Sequence, residues 1–310
     1  MKKCICMIVA VLLISVLFTG LASASSERSL NDWSVGDARI TDKVTALVID
    51  SPDVDIFLKT GTDQAVLIAE DSAKELSEDQ KVHWQLDGTT LRIKYNNSIL
   101  GIFGFLSGNA KRSLTVTLPE DLVLDSLEVS VASAEVTTDL LHCAKADLSA
   151  ASGDMNVLLA GEMENAAFSS ASGEITAALE NADAVRAEAA SGDIFVTLKN
   201  AGQFIADTAS GEITLQADAV TKLSMESASG EILASLANAP EETDISTASG
   251  DVALVLPENA DLTLTVSTAS GDFTSQLPVT MNDKTYISGN GAGQMTISTA
   301  SGDISIRKAD

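Results

Sequence analysis

One tetrapeptide pattern dominates the chain. Ala-Ser-Gly followed by Asp or Glu recurs with its glycine at Gly153, Gly173, Gly192, Gly211, Gly230, Gly250, Gly271 and Gly302. The successive spacings are 20, 19, 19, 19, 20, 21 and 31 residues, and the longest holds an elaborated turn. A degenerate copy, Ala132-Ser133-Ala134-Glu135, puts Ala134 in the glycine position 19 residues before Gly153, which brings the array to nine units. A fixed period in this range is the mark of a repeat architecture in which each unit buries its apolar face only against its neighbours.

Alignment on the glycine shows what each unit builds. Two residues after it stand Met155, Ile175, Ile194, Ile213, Ile232, Val252, Phe273 and Ile304, all apolar. The positions four and six residues on are mostly apolar as well, for example Val196 and Leu198, or Leu254 and Leu256. Alternation with a period of two means a strand with one buried face. About 19 residues accommodate two strands of five to six residues and two turns, and leave no room for a helix. The expected fold is therefore all-β: a single-stranded β-solenoid, or β-helix, of about nine coils of 19 to 21 residues. Each coil is expected to pair with the coils before and after it in sequence, about 4.8 Å apart.

Each position of the recurring corner has a physical rationale. Glycine reaches positive φ without a Cβ penalty, which a reversing chain is expected to need. The small Ala and Ser before it suit a tight bend, and the serine hydroxyl can serve turn amides. Leu118-Pro119-Glu120 and Leu256-Pro257-Glu258 each end a strand at proline. Residues 44–125 repeat less regularly, with strand-like runs at 44–49, 54–58, 65–69, 90–95 and 114–118, and read as an N-terminal β cap or as irregular early coils. Residues 126–310 carry the regular repeats, and 25–43 read as a linker.

The N-terminus has the layout of a targeting segment. Lys2 and Lys3 precede an uncharged run whose most apolar part is 8–18, followed by Ala22-Ser23-Ala24 with small residues at the cleavage-determining positions. Residues 1–24 are a signal peptide on this reading, or an uncleaved anchor, since the run approaches the roughly 20 residues of a membrane helix. Either way the rest of the chain is exported, to the extracellular space or the cell surface. Removal of 1–24 leaves Cys143 as the one cysteine of the mature protein, so no intramolecular disulfide is expected. A net charge of −25 argues against nucleic acid and anionic lipid headgroups as partners.

The Ala-Ser-Gly-acid coils, the Leu-Pro-Glu strand ends, and the Gly289-Asn290-Gly291-Ala292-Gly293 turn leading into Ile297-Ser-Thr-Ala-Ser-Gly-Asp-Ile304 resemble a bacterial family. That family is known as putative adhesins with a domain of unknown function, expected to form an exported β-solenoid. The resemblance covers residues 44–310. It implies export or membrane anchoring and a link to envelope stress systems, and it brings no catalytic residues.

Four features are candidates for chemistry. The acid after each glycine forms a set, Asp154, Glu174, Asp193, Glu212, Glu231, Asp251, Asp272 and Asp303, that stacking turns into a ladder. Carboxylates about 5 Å apart in water repel by roughly 0.8 kcal/mol, so the ladder calls for fanning out, turn amides or cations. Calcium is the cation such oxygens would take, although one acid per coil falls short of the six or more oxygens it needs. His142 and Cys143 are adjacent, but on a strand they face opposite sides, which defeats a thiol-base pair. The Gly289–Gly293 run lacks the lysine and the helix of a phosphate loop and reads as a turn. In the apolar segment 99–106, Ile102, Phe103, Phe105 and Leu106 are candidates for membrane or partner contact beside Lys111 and Arg112. The alternative is that the segment folds back to cap an end of the solenoid.

The composition points away from an enzyme. Two histidines cannot supply a three-histidine zinc site, and beyond residue 125 there is no Trp and one Tyr, Tyr286, for stacking sugars. No cofactor is expected. The leading expectation is a non-enzymatic envelope scaffold or adhesin-like surface whose partner is a protein or an envelope component. Its alternatives are a carbohydrate-active enzyme with a carboxylate pair on a solenoid face, and a calcium-dependent surface module.

Overall fold

The computed structural model describes residues 33–95, 111–282 and 285–309. The described chain is almost entirely β-strand, with one 3-10 turn at Glu78–Gln80. It is a β-solenoid whose described residues form two compact units, divided between Ala160 and Gly161. The targeting segment 1–24 lies outside the described residues, and no helix among those described is long and apolar enough to cross a membrane.

In the second unit, Ile175–Ser191, Ile194–Ser210 and Ile213–Ser229 are each one continuous strand running from one glycine corner to the next. They pair in parallel with a shift of one repeat, Ile175 beside Ile194 beside Ile213 beside Ile232. The expected division of each coil into two short strands separated by a turn does not occur in these coils. Burial shows why. In one coil Ile194, Val196 and Leu198 are buried, then Ala201, then Phe204, Ala206 and Thr208. The two steps of three residues on either side of Ala201 mark two shallow bends, so the chain changes direction without leaving the hydrogen-bonded ladder. Each coil thus has two straight legs, with the narrow core between them.

The glycine corner is required both by its positive φ and by proximity. At Gly211 φ is 151°, a conformation that side-chain-bearing residues rarely adopt, and a Cβ there would also lie 2.1 Å from the carbonyl oxygen of Gly192 in the preceding layer. Gly302 faces the Gly250 oxygen in the same way, at 2.1 Å. Ala134 carries its Cβ because the neighbour on that side is Pro52, whose carbonyl accepts the Ser133 amide, and not another glycine corner.

The layers are not stacked in sequence order, contrary to the expectation of consecutive coils. In the second unit Glu242–Ser249 and Val252–Leu256 pair with the last strands of the chain, Gly293–Ser301 and Ile304–Lys308. Those pair in turn with Leu262–Ser270 and Phe273–Ser275. The order in space is 242–256, then 293–308, then 262–275. The first unit uses the same device. Ala46–Ser51 and Asp55–Gly61 lie between Thr90–Lys94 with Arg112–Pro119 on one side and Ser126–Ser133 with Val136–Thr138 on the other. In this way the first parallel layer of the first unit and the last strands of the second gain ladder partners on two sides, which removes a fraying edge.

Outside Thr90–Lys94 and Arg112–Pro119 the pairing turns antiparallel. His83–Asp87 lies on the former and Val66–Ser72 on the latter. Ser34–Val35 and Ala38–Ile40 are added beyond these. The linker expected over 25–43 is therefore strand at 34–35 and 38–40. These residues pair because they cover edges that the irregular early layers would otherwise expose.

Candidate interaction surfaces

The corner acids are held by the turns themselves. Asp193 accepts the backbone amide of Glu212 in the next layer at 2.8 Å. Asp251 accepts that of Asp303 at 2.7 Å, and Asp303 that of Asp272 at 2.8 Å. Glu174 and Glu212 instead accept the hydroxyls of Thr176 and Thr214 two residues on, at 2.9 and 2.6 Å. A hydrogen bond to a charged acceptor contributes about 1.5–3 kcal/mol, which outweighs the roughly 0.8 kcal/mol of neighbour repulsion. The recurrence of an acid at this position thus has a structural cause. Among the described residues no three Asp, Glu, His or Cys side chains come together in a way that could hold a metal ion.

Three residues before each corner glycine lies a small residue, buried except at half-buried Thr268, whose role the pattern did not reveal. Where it is threonine, its hydroxyl donates to a glycine carbonyl one layer away: Thr208 to Gly192, Thr247 to Gly230, Thr299 to Gly250 and Thr268 to Gly302, at 3.3–3.4 Å. These bonds clamp the corners together from inside.

The outer face of the second leg is acidic. Glu188, Asp207 and Glu226 occupy one register column. Arg186 reaches both Glu188 and Asp207, the latter at 3.2 Å. Asp207 is three-quarters buried, and desolvation pushes its carboxyl up to about 6 against the pull of Arg186. Burial also raises Asp50 and Asp147, on the first unit's corresponding leg. The first leg of the second unit has a neutral outer face, with Phe195, Thr214, Leu233 and Ala253 in one column and the two large apolar residues half-buried. In the first unit a depression of about 390 Å³ is lined by Asp42, Lys43, Gln64, Asp121 and Asp125, among others, and by no aromatic ring.

His142 and Cys143 sit on the strand Leu141–Cys143 with the cysteine buried and the histidine half-exposed. Desolvation raises the Cys143 thiol to about 12, so it does not supply a thiolate near neutral pH.

The Gly289–Gly293 run is a strap. Thr285–Ser288 lies antiparallel on one edge of Leu262–Thr265, and Gly293–Ser301 lies parallel on the other edge of the same strand. Residues 289–292 therefore cross the start of that strand. Asp261 latches the crossing: its Oδ1 accepts the amides of Asn290 and Ala292 at 2.7 and 3.0 Å, and these bonds lower its pKa. Gly291 has φ 79°, and a Cβ on it would lie 2.6 Å from the Thr263 hydroxyl. The sequence reading found the turn but not its carboxylate, which lies about 30 residues upstream.

In the first unit Trp84 lies on the outer strand His83–Asp87, Trp33 directly precedes Ser34–Val35, and Tyr95 directly follows Thr90–Lys94. Lys94 stands 4.3 Å from the centre of the Trp33 ring, and the Arg112 guanidinium 5.0 Å from that of Tyr95. Arg112 pairs with buried Glu70 at 2.6 Å, and Glu70 also accepts the Val82 amide at 2.9 Å. Tyr95 and Arg112 thus fix the two roots of the segment that carries Ile102, Phe103, Phe105 and Leu106. Those four residues lie outside the described residues.

A putative lipid binding protein from Parabacteroides distasonis has a similar fold, with TM-score 0.52 and 15% identity over 88% of this chain and 96% of its own. A putative adhesin from the same organism gives TM-score 0.50 and 14% identity, over 88% and 98% of the two chains. A putative adhesin from Parabacteroides merdae gives TM-score 0.50 and 13% identity, over 90% and 96%. At such identities the likeness concerns the fold. No curated protein shows significant sequence similarity to this chain. The Toastrack DUF4097 family profile matches residues 44–307, nearly the whole repeat region. The chain belongs to the Toastrack DUF4097 family.

Proposed function

We propose that the protein is an exported, non-enzymatic β-solenoid of the bacterial cell envelope that acts as an adhesin-like scaffold, its two outer faces binding a protein or another envelope component. The observation that carries this reading is the register-locked pair of faces in the second unit. One presents the carboxylates Glu188, Asp207 and Glu226, and the other presents Phe195 and Leu233 amid short neutral side chains. A rigid flat array of this kind suits extended recognition, since little side-chain or backbone entropy remains to be lost on binding. Its acidity favours a cationic or neutral partner and disfavours nucleic acid. The likeness to a putative adhesin supports the same reading.

The test is binding of the immobilised protein to isolated envelope fractions. Phe195→Glu with Leu233→Glu, or Glu188→Lys with Glu226→Lys, is expected to reduce capture at least tenfold with the circular dichroism spectrum unchanged. Equal capture by both double variants would refute the reading. Membrane contact through Phe103 and Phe105 is a second reading. The likeness to a putative lipid binding protein supports it, as does the exposed Lys111 beside the segment. Liposome co-sedimentation that survives Phe103→Ser with Phe105→Ser would contradict it.

A further inference from the structure

The second unit ends in a layer with an open edge. Thr285–Ser288 covers the outer side of Leu262–Ser270 only from Leu262 to Thr265. Among the described residues nothing pairs with the outer side of Val266–Ser270 or Phe273–Ser275. The core position two residues after the glycine is 0% exposed at Ile213, Ile232, Val252 and Ile304. In the end layer the same position is Phe273, half-buried and resting on Tyr286 with ring centres 4.8 Å apart.

This edge is the third copy of a surface that is already occupied twice in the same molecule. Ser246–Asp251, Ser298–Asp303 and Ser267–Asp272 are identical hexapeptides, Ser-Thr-Ala-Ser-Gly-Asp. The outer edge of the first receives the second in parallel register, and the outer edge of the second receives the third. The same groups act each time. Gly250 and Gly302 carbonyls accept the hydroxyls of Thr299 and Thr268. Asp251 and Asp303 carboxylates accept the amides of Asp303 and Asp272. The outer edge of Ser267–Asp272 offers the Gly271 carbonyl and the Asp272 carboxylate in the same positions, and no described layer lies beyond them.

We propose that the edge formed by Val266–Ser270 and Phe273–Ser275 is a strand-accepting site whose occupant is the segment Ile297–Lys308 of a second copy, the part of the last two strands that pairs with Val266 and the residues after it. Two observations select that occupant. It carries the hexapeptide that this type of edge already binds. Its one acid, Asp303, stands against Arg307 and Lys308, so it is net cationic in a chain of net charge −25. This pairing is a β-strand addition, in which main-chain hydrogen bonds supply affinity and the small corner supplies register.

A labelled synthetic peptide of residues 297–308 tests the site. It is expected to bind the purified protein saturably with one peptide per chain. A Gly302→Val version is expected to bind at least tenfold more weakly, because its Cβ would meet the Gly271 carbonyl as a Cβ on Gly302 would meet that of Gly250, at 2.1 Å. A peptide carrying Ser298→Cys is expected to form a disulfide with Ser267→Cys protein and not with Ser246→Cys protein, and sedimentation of the protein alone is expected to show a concentration-dependent dimer. Absence of peptide binding at about millimolar concentration, equal binding of the two peptides, capture by Ser246→Cys, or a strictly monomeric protein would overturn the proposal.

Discussion

Asp207 offers a quantitative test of the acidic leg. Its carboxyl sits at about 6 in the folded protein against a reference of 3.8, and burial is the largest cause. A raised carboxyl favours the protonated folded state. Below pH 3.8 the group is protonated in both states and costs nothing. Between 3.8 and about 6 the unfolded chain releases the proton first, so stability falls as pH rises. Above 6 the full cost is present. The difference of about two pH units corresponds to roughly 3 kcal/mol at 1.36 kcal/mol per unit. Asp207→Asn keeps the shape and removes the charge. It should therefore stabilise the second unit at pH 7.5 by about 2–3 kcal/mol, the upper figure being the full linkage value. At roughly 2–4 °C per kcal/mol for a unit of this size, the midpoint should rise by about 4–12 °C. Thermal melts of the two proteins from pH 3.5 to 8 are the assay, and the curves of midpoint against pH should converge below pH 4. A variant that is less stable at pH 7.5, or an offset that does not depend on pH, would refute the claim that burial dominates over the pairing with Arg186.

Three further outcomes are expected. Gly211→Ala, with its Cβ 2.1 Å from the Gly192 oxygen, should destabilise by about 3 kcal/mol or more, at the upper end of overpacking, while Ala134→Gly should cost only about 1 kcal/mol, as denaturant titration would show. Asp261→Ala removes the acceptor of two strap amides and should open a protease site within residues 289–293 that is protected in the parent, as limited proteolysis with mass spectrometry would show. Cys143, buried with its thiol raised to about 12, should resist a thiol-specific chromogenic reagent at pH 8 in native buffer and react once denaturant is added.

The fold was legible in the sequence wherever a residue type had a single use. The glycine corners, the apolar positions two, four and six residues beyond them, and the strand ends at Pro119 and Leu256 emerge directly from the repeat. Layer order was not legible, and the reason is degeneracy. With identical hexapeptides at 246–251, 267–272 and 298–303, hydrophobic patterning cannot distinguish consecutive stacking from the threaded order, and the choice is left to the strap at 289–293 and to Asp261. The mid-coil change of direction was expected as a turn between two strands, and Asn181 and Asn200 are turn-favouring residues, but the ladder runs on unbroken through them, so the bend is made inside one strand. Ser34–Val35 is too short to show any period. Among the candidate site residues, the acid pattern was visible but its use was not. The amides that Asp193, Asp251 and Asp303 accept belong to another layer, and in the cases of Asp251 and Asp303 to a layer out of sequence order.

The threaded order is the central claim, and a disulfide can test it directly. Ser246 and Ser298 are register partners on adjacent strands and both lie on the outer face, within the Cα separation that a disulfide spans. In the protein with Ser246→Cys and Ser298→Cys, mild oxidation should link the two cysteines within one chain rapidly and nearly completely. In the protein with Ser246→Cys and Ser267→Cys, whose positions are separated by the intervening strand, it should not. The reverse outcome, linkage of 246 to 267 and none to 298, would mean that the coils stack consecutively and would contradict the account.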